Sequence, residues 1–192
     1  SPQGVKLRRD GLRIVAQLDK QFADIAGESA IADTSRSLWK IYQRLSLGLT
    51  PQGQAPTVPV VMGGLLPRLA DHILLRLMEL TRARGHPRLK LCFGQVLTLI
   101  GPAGGRISQI AATQDVSKQA ISVIANELEE LGYLQRHADP LDARQIVLQF
   151  TARGETLIAD SVTSVEELEQ EFAAIIGKAA LTKLKDAKNR KK

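Results

Sequence analysis

Cysteine is almost absent from this chain, since Cys92 is the single one among 192 residues. One cysteine excludes an internal disulfide framework and a zinc finger, both of which need several. Leu91 and Phe93 flank it, so we expect a buried, structural thiol. A reactive thiol is the alternative, and it requires an exposed side chain close to a cation such as Lys90.

Arrangements that catalyse reactions or hold metals are lacking as well. His72, His86 and His137 are far apart in the sequence, without Cys or carboxylate neighbours at metal-ligand spacing. The glycine-rich stretch 101–105 is not followed by the lysine of a phosphate-binding loop. No serine or cysteine lies in a nucleophile-elbow pattern. We therefore expect neither an enzyme nor a protein with a metal or cofactor.

Aromatic residues make up only 4% of the chain, whereas 44% of its residues are hydrophobic. An aliphatic composition rich in Leu, Ile and Ala favours helices around a proper core. The sequence contains no apolar run long enough to cross a membrane and no signal-peptide pattern, so no membrane association is expected.

The net charge of +6 is concentrated at the carboxyl end. From Leu181 onward six basic residues stand against one acidic residue, which leaves the rest of the chain nearly neutral. Overall charge therefore does not by itself indicate nucleic-acid binding, although a basic stripe on one surface could still bind phosphates.

Residues 106–151 have the order of elements of a winged helix-turn-helix, a DNA-binding fold made of a helical hairpin and a β-ribbon. Polar turns separate the elements, and Gly132 ends the second helix. The pattern predicts helices over 108–112 and 117–131 and strands over 133–137 and 145–150.

The second helix has the features of a recognition helix. Ser117 suits its N-cap and is also a candidate for a DNA contact. Apolar residues recur at three- and four-residue spacing along one face. Acidic residues are confined to its C-terminal half. For this helix alone, an ordinary amphipathic helix with a solvated face is an equal alternative. The opposite, polar face carries the candidates for base contacts in the major groove, namely Lys118, Gln119, Ser122 and Asn126.

The wing motif carries a family resemblance. Its pattern R-x-x-D-P-x-D-x-R, an apolar strand and then F-T-x-x-G resembles the wing of the MarR family over a region of about 65–188. Phe150 replaces the usual leucine, and Ala143 stands where many members have another basic residue. The residues of the motif are Arg136, Asp139, Pro140, Asp142, Arg144, Thr151 and Gly154.

The resemblance implies a mainly α fold with a small antiparallel β-wing, that is, a winged helix-turn-helix plus a helical dimerisation region. It implies that Arg144 enters a minor groove and that Asp142 fixes its pose; a local ion pair in the turn is the alternative. Arg136 and the start of the first hairpin helix, Ser108 and Gln109, would contact phosphates. Such regulators are proteins of the prokaryotic cytoplasm.

Three regions are predicted: a helical segment over 5–49, a Pro- and Gly-rich linker over 50–64, and a complete MarR-like module over 65–192. In the module, 89–151 would bind DNA, and its first part, 89–100, is predicted as one apolar helix. The helices of 65–84 and 151–188 would pair subunits, with Thr151 as the N-cap of the helix that follows the wing and a last helix that ends at 188. Residues 7–16 match 150–159 at an offset of 143, and residues 22–27 match 172–177 at 150. The first segment would then hold the end of a wing strand and the last two helices of another module, in a piece of a tandem protein. An unrelated two-helix extension is the alternative.

The leading hypothesis is a sequence-specific transcriptional regulator, of the repressor type, that binds double-stranded DNA. It would bind as a homodimer or as an intramolecular pseudo-dimer. The alternative is an interaction module that pairs with another regulator through its dimerisation helices. Relatives in this family bind small aromatic effectors, and the candidates for such a pocket here are His72, Arg76 and Cys92.

Overall fold

The computed structural model describes residues 1–45, 62–139 and 142–186, with a mainly α fold and a small antiparallel sheet, as predicted. In chain order the elements are α1 (Pro2–Ala26), α2 (Glu28–Arg44), α3 (Met62–Ala83), a 3-10 turn (Leu91–Phe93), α4 (Gly94–Leu97), β1 (Gly105–Arg106), α5 (Ile107–Thr113), α6 (Lys118–Glu130), β2 (Leu134–Asp139), β3 (Asp142–Phe150), α7 (Ala152–Ile176) and α8 (Lys178–Asp186).

The described residues form two compact units, one from 1–75 and 167–192 and the other from 76–166. The division falls inside α3 and inside α7, so each of these long helices contributes to both units. Within the predicted linker, residues 62–64 form the first turn of α3, while 50–61 lie outside the described residues. Residues 187 and 188, the predicted end of the last helix, lie outside them too.

The second unit is built on the apolar face of α6. Ile121, Ala125 and Leu128 are fully buried, as the three- and four-residue spacing predicted. They pack in one cluster with side chains from the 89–100 segment, from α5, from the sheet and from the start of α7. Because one face of α6 packs in this core, only its opposite face can contact another molecule.

The sheet has the strand order β1-β3-β2, with antiparallel pairing throughout. Both wing strands are longer than predicted, reaching Asp139 and Asp142, and residues 140 and 141 lie outside the described residues. The two-residue strand β1 was not predicted. It joins the ribbon through Gly105 opposite Leu148 and Arg106 opposite Val147.

The continuous helix predicted over 89–100 is wrong. The structure has the 3-10 turn Leu91–Phe93 and the four-residue α4 instead. Gly94 lowers the helix propensity in the middle of the segment. Five side chains of the segment are buried in the core, and their packing favours this irregular backbone over a continuous helix. Cys92 is exposed on this turn, contrary to the expected buried thiol.

Three predicted helix ends are confirmed. The Ser117 hydroxyl accepts from the amide of Ala120 at 3.1 Å, and Gly132 has a φ of 74° just after α6. The Thr151 hydroxyl accepts from the amide of Gly154 at 3.1 Å at the start of α7. A Cβ on Gly154 would lie 2.1 Å from the carbonyl oxygen of Tyr133, so only glycine fits this contact.

The first unit packs α2 against α3 and the end of α7. Ile41, Leu65 and Leu69 form its buried centre, and Phe172 and Ile175 pack against them. Trp39 and Tyr42 stack with ring centroids 5.5 Å apart and belong to this cluster. The cluster is aliphatic at its centre and aromatic at its edge.

Helix α1 repeats α7 at a constant spacing of 150 residues. Pro2 corresponds to Ala152, Ala26 to Ile176 and Gly27 to Gly177, so both helices have 25 residues and end at a glycine with φ near 90°. The predicted offset of 143 for residues 7–16 is therefore wrong, and no wing strand ends there, because 2–26 is one helix. A shift of seven residues preserves the apolar face, which made the two registers hard to distinguish in the sequence.

A carboxylate of α1 caps α3 across the sequence. The two oxygens of Asp19 accept from the amides of Met62 and Gly63 at 2.9 and 3.0 Å. These amides have no partner within their own helix, and the negative charge also suits the positive end of the helix dipole. The cap therefore ties α1 to the start of α3 within the first unit.

Replacing this cap should cost stability without changing the fold. We expect Asp19→Ala to lower the free energy of unfolding by about 1 kcal/mol, the usual value of an N-cap side chain. Urea denaturation would measure the change. Asp24→Ala, at an exposed position of the same helix, is the control, and an equal loss in both variants would show that the cap contributes nothing.

Candidate nucleic-acid interface

The helical hairpin α5–α6 is held by a tight turn over 114–117. Asp115 adopts a φ of 52°, and the amide of Val116 donates to the carbonyl of Ala111 at 3.0 Å. Ile110 and Ala111 of α5 are buried in the same cluster as Ile121 of α6. The hairpin is thus fixed from inside, which orients the outer face of α6 without the help of a ligand.

The outer face of α6 carries the side chains predicted to contact bases. Lys118, Gln119 and Asn126 are exposed, and Ser122 is half-buried. The Ser122 hydroxyl donates to the carbonyl of Lys118 at 2.8 Å, which occupies its proton. All four lie on the helix side opposite the core, so they can approach a groove together.

Arg136 of β2 reaches across to this face of α6. Its Nη2 donates to the amide oxygen of Asn126 at 2.5 Å and approaches the carbonyl of Ser122 at 3.5 Å, while Nη1 lies 3.5 Å from a carboxylate oxygen of Glu129. Its Nε is buried without a hydrogen-bond partner. The structure therefore brings together two predicted DNA-contacting residues, Arg136 and Asn126, which the sequence had placed in separate roles.

The base of the wing is fixed by an ion pair between a half-buried guanidinium and a buried carboxylate. The guanidinium of Arg106, at the N-cap of α5, donates to a carboxylate oxygen of Asp139, which is 3% exposed. This pair was missed, because Asp139 was predicted only as a residue of the wing motif. Arg106 immediately before the hairpin was the available signal. The pair connects the end of β2 to the start of the helix-turn-helix.

Further along the wing, Asp142 accepts from the side-chain amide of Gln145 at 3.0 Å. Arg144 lies in β3, and its side chain is outside what the structure describes. At the start of α5, Ser108 is half-buried and Gln109 is exposed. Gln109 borders an open depression of about 410 Å³, and the other lining residues are Leu99, Gly104, Gly105, Arg106, Ile110 and Thr113.

The acidic end of α6 is partly neutralised by basic side chains. Lys90 donates to a carboxylate oxygen of Glu127 at 2.7 Å, and this hydrogen bond raises the pKa of Lys90 above its ordinary value. Glu129 faces Arg136. These contacts therefore reduce the negative charge near the outer face of α6, compared with what the sequence alone indicated.

A buried polar network that was not predicted holds the place where α6 passes into β2. His86 is 3% exposed; its Nδ1 lies 3.0 Å from the Tyr133 hydroxyl and its Nε2 lies 2.9 Å from a carboxylate oxygen of Asp160. Nearby, the Thr81 hydroxyl donates to Ser164 at 3.1 Å. These contacts fix the end of the recognition helix to α3 and α7 within the second unit.

The candidate effector residues are divided between the two units. His72 is half-buried in the first unit, whereas Arg76 and Cys92 belong to the second. Arg76 donates to Glu79 at 2.7 Å, and Cys92 is exposed. Within 1–45, 62–139 and 142–186, no group of His, Cys, Asp and Glu could hold a metal ion. None of the helices described is long and apolar enough to cross a membrane.

The hairpin, the three-stranded sheet and the long flanking helices define a winged helix-turn-helix, as predicted. Residues 95–145 match the MarR family. A putative transcriptional regulatory protein for the hcr operon of Thauera aromatica is 29% identical over 87 residues, 45% of this chain and 52% of the relative. The chain thus spans about half the length of this curated relative.

Solved structures agree in fold. A MarR-family transcriptional regulator from Rhodococcus sp. RHA1 is 21% identical with a TM-score of 0.53, over 70% of this chain and 94% of that one. CouR from Rhodococcus jostii RHA1, bound to p-coumaroyl-CoA, is 22% identical with a TM-score of 0.52 and the same coverage. The winged helix-turn-helix of this chain is of the MarR type, which confirms the resemblance drawn from the wing motif.

Removing the Arg136 guanidinium should weaken DNA binding by releasing Asn126. We expect Arg136→Ala to raise the Kd for a duplex selected from a random pool by about fivefold, or roughly 1 kcal/mol, for one partly exposed charged hydrogen bond. Fluorescence anisotropy would measure it, with Gln135→Ala on the same strand as the control. If Asn126→Ala weakens binding and Arg136→Ala does not, Arg136 does not position Asn126.

Proposed function

We propose that this protein is a sequence-specific transcriptional regulator of the MarR type that binds double-stranded DNA. The observation that carries the proposal is the outer face of α6, where polar and basic side chains lie exposed on a helix whose other face is locked in the core. A helix held in this way can enter a major groove without reorganising. The compartment that follows from this role is the prokaryotic cytoplasm, and repression is the proposed mode.

In the proposed complex, Lys118, Gln119, Ser122 and Asn126 face base edges and phosphates of the major groove. The wing strand β3 carries Arg144 toward the adjacent minor groove, with Asp142 beside it. The first turn of α5, with Ser108 and Gln109, faces the phosphate backbone. Arg136 acts mainly as a positioning residue, because its guanidinium is already bonded to α6.

Two such lobes are needed to contact successive major grooves about 34 Å apart. The long flanking helices α3, α7 and α8 would hold them, either between two chains or within one. An interaction module that only pairs with another regulator is not favoured, since the relatives in sequence and in fold are transcriptional regulators by name or family.

Salt dependence is the first test of this function. A protein that neutralises several phosphates should lose affinity steeply as salt rises, with a slope in log K against log salt of about −0.9 per phosphate. Titrating a random duplex pool at several salt concentrations gives the slope. A flat profile, or no binding at low salt, would reject DNA binding in favour of a mostly apolar protein interface.

The wing can be tested separately. We expect Arg144→Ala to weaken binding of a selected duplex and to reduce the salt slope by about one phosphate, with the thermal midpoint unchanged. Gln149→Ala, a change in the same strand that removes no positive charge, is the control. An Arg144→Ala variant with the affinity of the parent protein would show that the wing does not contact DNA.

An aromatic effector is the proposed regulator of DNA binding, because CouR, a protein of the same fold, was crystallised with p-coumaroyl-CoA. Binding would shift the population of lobe spacings that fit DNA. We expect p-coumaroyl-CoA or p-coumarate to lower duplex affinity, and His72→Ala or Arg76→Ala to lessen that effect. Ligand-dependent release that is unchanged in both variants and in Cys92→Ser would exclude these residues from the pocket.

A further inference from the structure

The repeat of α7 by α1 extends to the residues that α7 buries. The buried or half-buried stripe of α7 contains Gly154, Leu157 and Leu168 and continues to Phe172 and Ile175. At the positions 150 residues earlier, α1 has small or apolar residues throughout. These are Gly4, Leu7, Gly11, Ile14, Leu18, Phe22 and Ile25.

On α7 the N-terminal half of this stripe is covered by the winged lobe. Leu157 is 1% exposed in the core cluster, and the carbonyl of Tyr133 lies so close to Gly154 that no Cβ fits. Ser164 is fully buried and bonded to Thr81 of α3. Helix α7 thus depends on residues from α3 through β3 to cover its apolar side.

On α1 the same stripe is uncovered. Leu7, Ile14 and Ile25 are 76%, 59% and 66% exposed, and Leu18 and Phe22 are exposed as well. A Cβ at Gly4 would meet only the hydroxyl of Ser1, at 3.5 Å. A glycine in the first turn and a complete apolar stripe are unfavourable features for a solvated helix, and nothing in the described residues of the first unit explains them.

Helix ends and packing show the same asymmetry. The Ser1 hydroxyl accepts from the amide of Gly4 at 3.2 Å, as Thr151 does from Gly154 at 3.1 Å, and Thr151 directly follows the last wing strand. Helix α2 packs on α3 and on the end of α7, whereas its counterpart α8 has no buried residue. The winged lobe that covers α7 has no equivalent on α1 among the described residues. The packing of α2 on α3 likewise has no equivalent at α8.

We propose that the exposed stripe of α1 is the docking surface for a second winged helix-turn-helix lobe of the type formed by residues 62–150, joined to α1 at Ser1 as β3 is joined to α7 at Thr151. The inference rests on the proposed function, because it makes the molecule an intramolecular pair of DNA-binding lobes. The covering lobe would place its counterpart of Tyr133 against Gly4 and its counterpart of Thr81 against Ile14.

The test supplies such a lobe and measures its contact with α1 without using DNA. A fusion protein carries a copy of residues 62–150 directly before Ser1 of the full chain, with serine at the native Cys92 and its copy. The reporter is Ile14→Cys, which matches the size of its buried counterpart Ser164, and the control is Arg13→Cys, whose counterpart Thr163 is exposed. The measured quantity is the thiol labelling rate, compared with the same variants of the 192-residue chain.

The fused lobe should slow labelling at position 14 by at least about tenfold, because reaction then requires local opening, while position 13 stays reactive. Gly4→Ala should restore labelling in the fusion, since its Cβ would collide with the docked backbone. In the 192-residue chain the same change should slightly stabilise α1. Labelling that remains fast at position 14, or that Gly4→Ala does not restore, would overturn the proposal.

Light scattering of the 192-residue chain gives an independent result. A monomer is expected, because the proposed occupant is a winged lobe rather than a second α1. A dimer that Leu7→Asp dissociates would overturn the proposal, since a second copy would then cover the stripe. None of these outcomes depends on duplex binding, so a failure of the DNA-binding function is distinguishable from a failure of the docking surface.

Discussion

The winged helix-turn-helix of this chain depends on how Tyr133 is held. This residue, 1% exposed, follows α6 and precedes β2, so it joins the recognition helix to the wing. Its carbonyl accepts from the amide of Thr151 and touches Gly154, its hydroxyl bonds His86, and the Arg153 guanidinium lies 5.1 Å from its ring centroid. The helix α6, the wing and α7 therefore meet at one residue, and a shift of Tyr133 would change the direction of all three.

Much of this arrangement was predictable because its causes are local. The spacing of Ile121, Ala125 and Leu128 predicted the buried face of α6, and the hydroxyls of Ser117 and Thr151 predicted two helix starts. Such signals depend on a few neighbouring residues. Among the site residues, the exposure of Lys118, Gln119 and Asn126 followed from the same periodicity.

What the sequence could not supply was set by distant contacts. Strand β1 is two residues long and exists only because β3 lies beside it. The pairs Arg106 with Asp139 and Arg136 with Asn126 join residues 33 and 10 positions apart, and no spacing rule connects them. The predicted offset of the repeat was wrong for another reason. A shift by two helical turns preserves an apolar stripe, so the correct offset is visible only from the helix caps and the glycines that end the helices.

In the proposed DNA complex, the Arg136–Asn126 contact would also limit which bases α6 can select. A guanidinium has donors and no acceptor, so only the amide oxygen of Asn126 can face Arg136. The amide group that remains to approach DNA is then a donor. It suits acceptors such as guanine N7 and O6 or thymine O4, whereas a bidentate contact with adenine would have to share the amide oxygen that already accepts from Arg136. In the proposed complex, a residue of β2 would thus constrain base selection by α6 without reaching the groove itself.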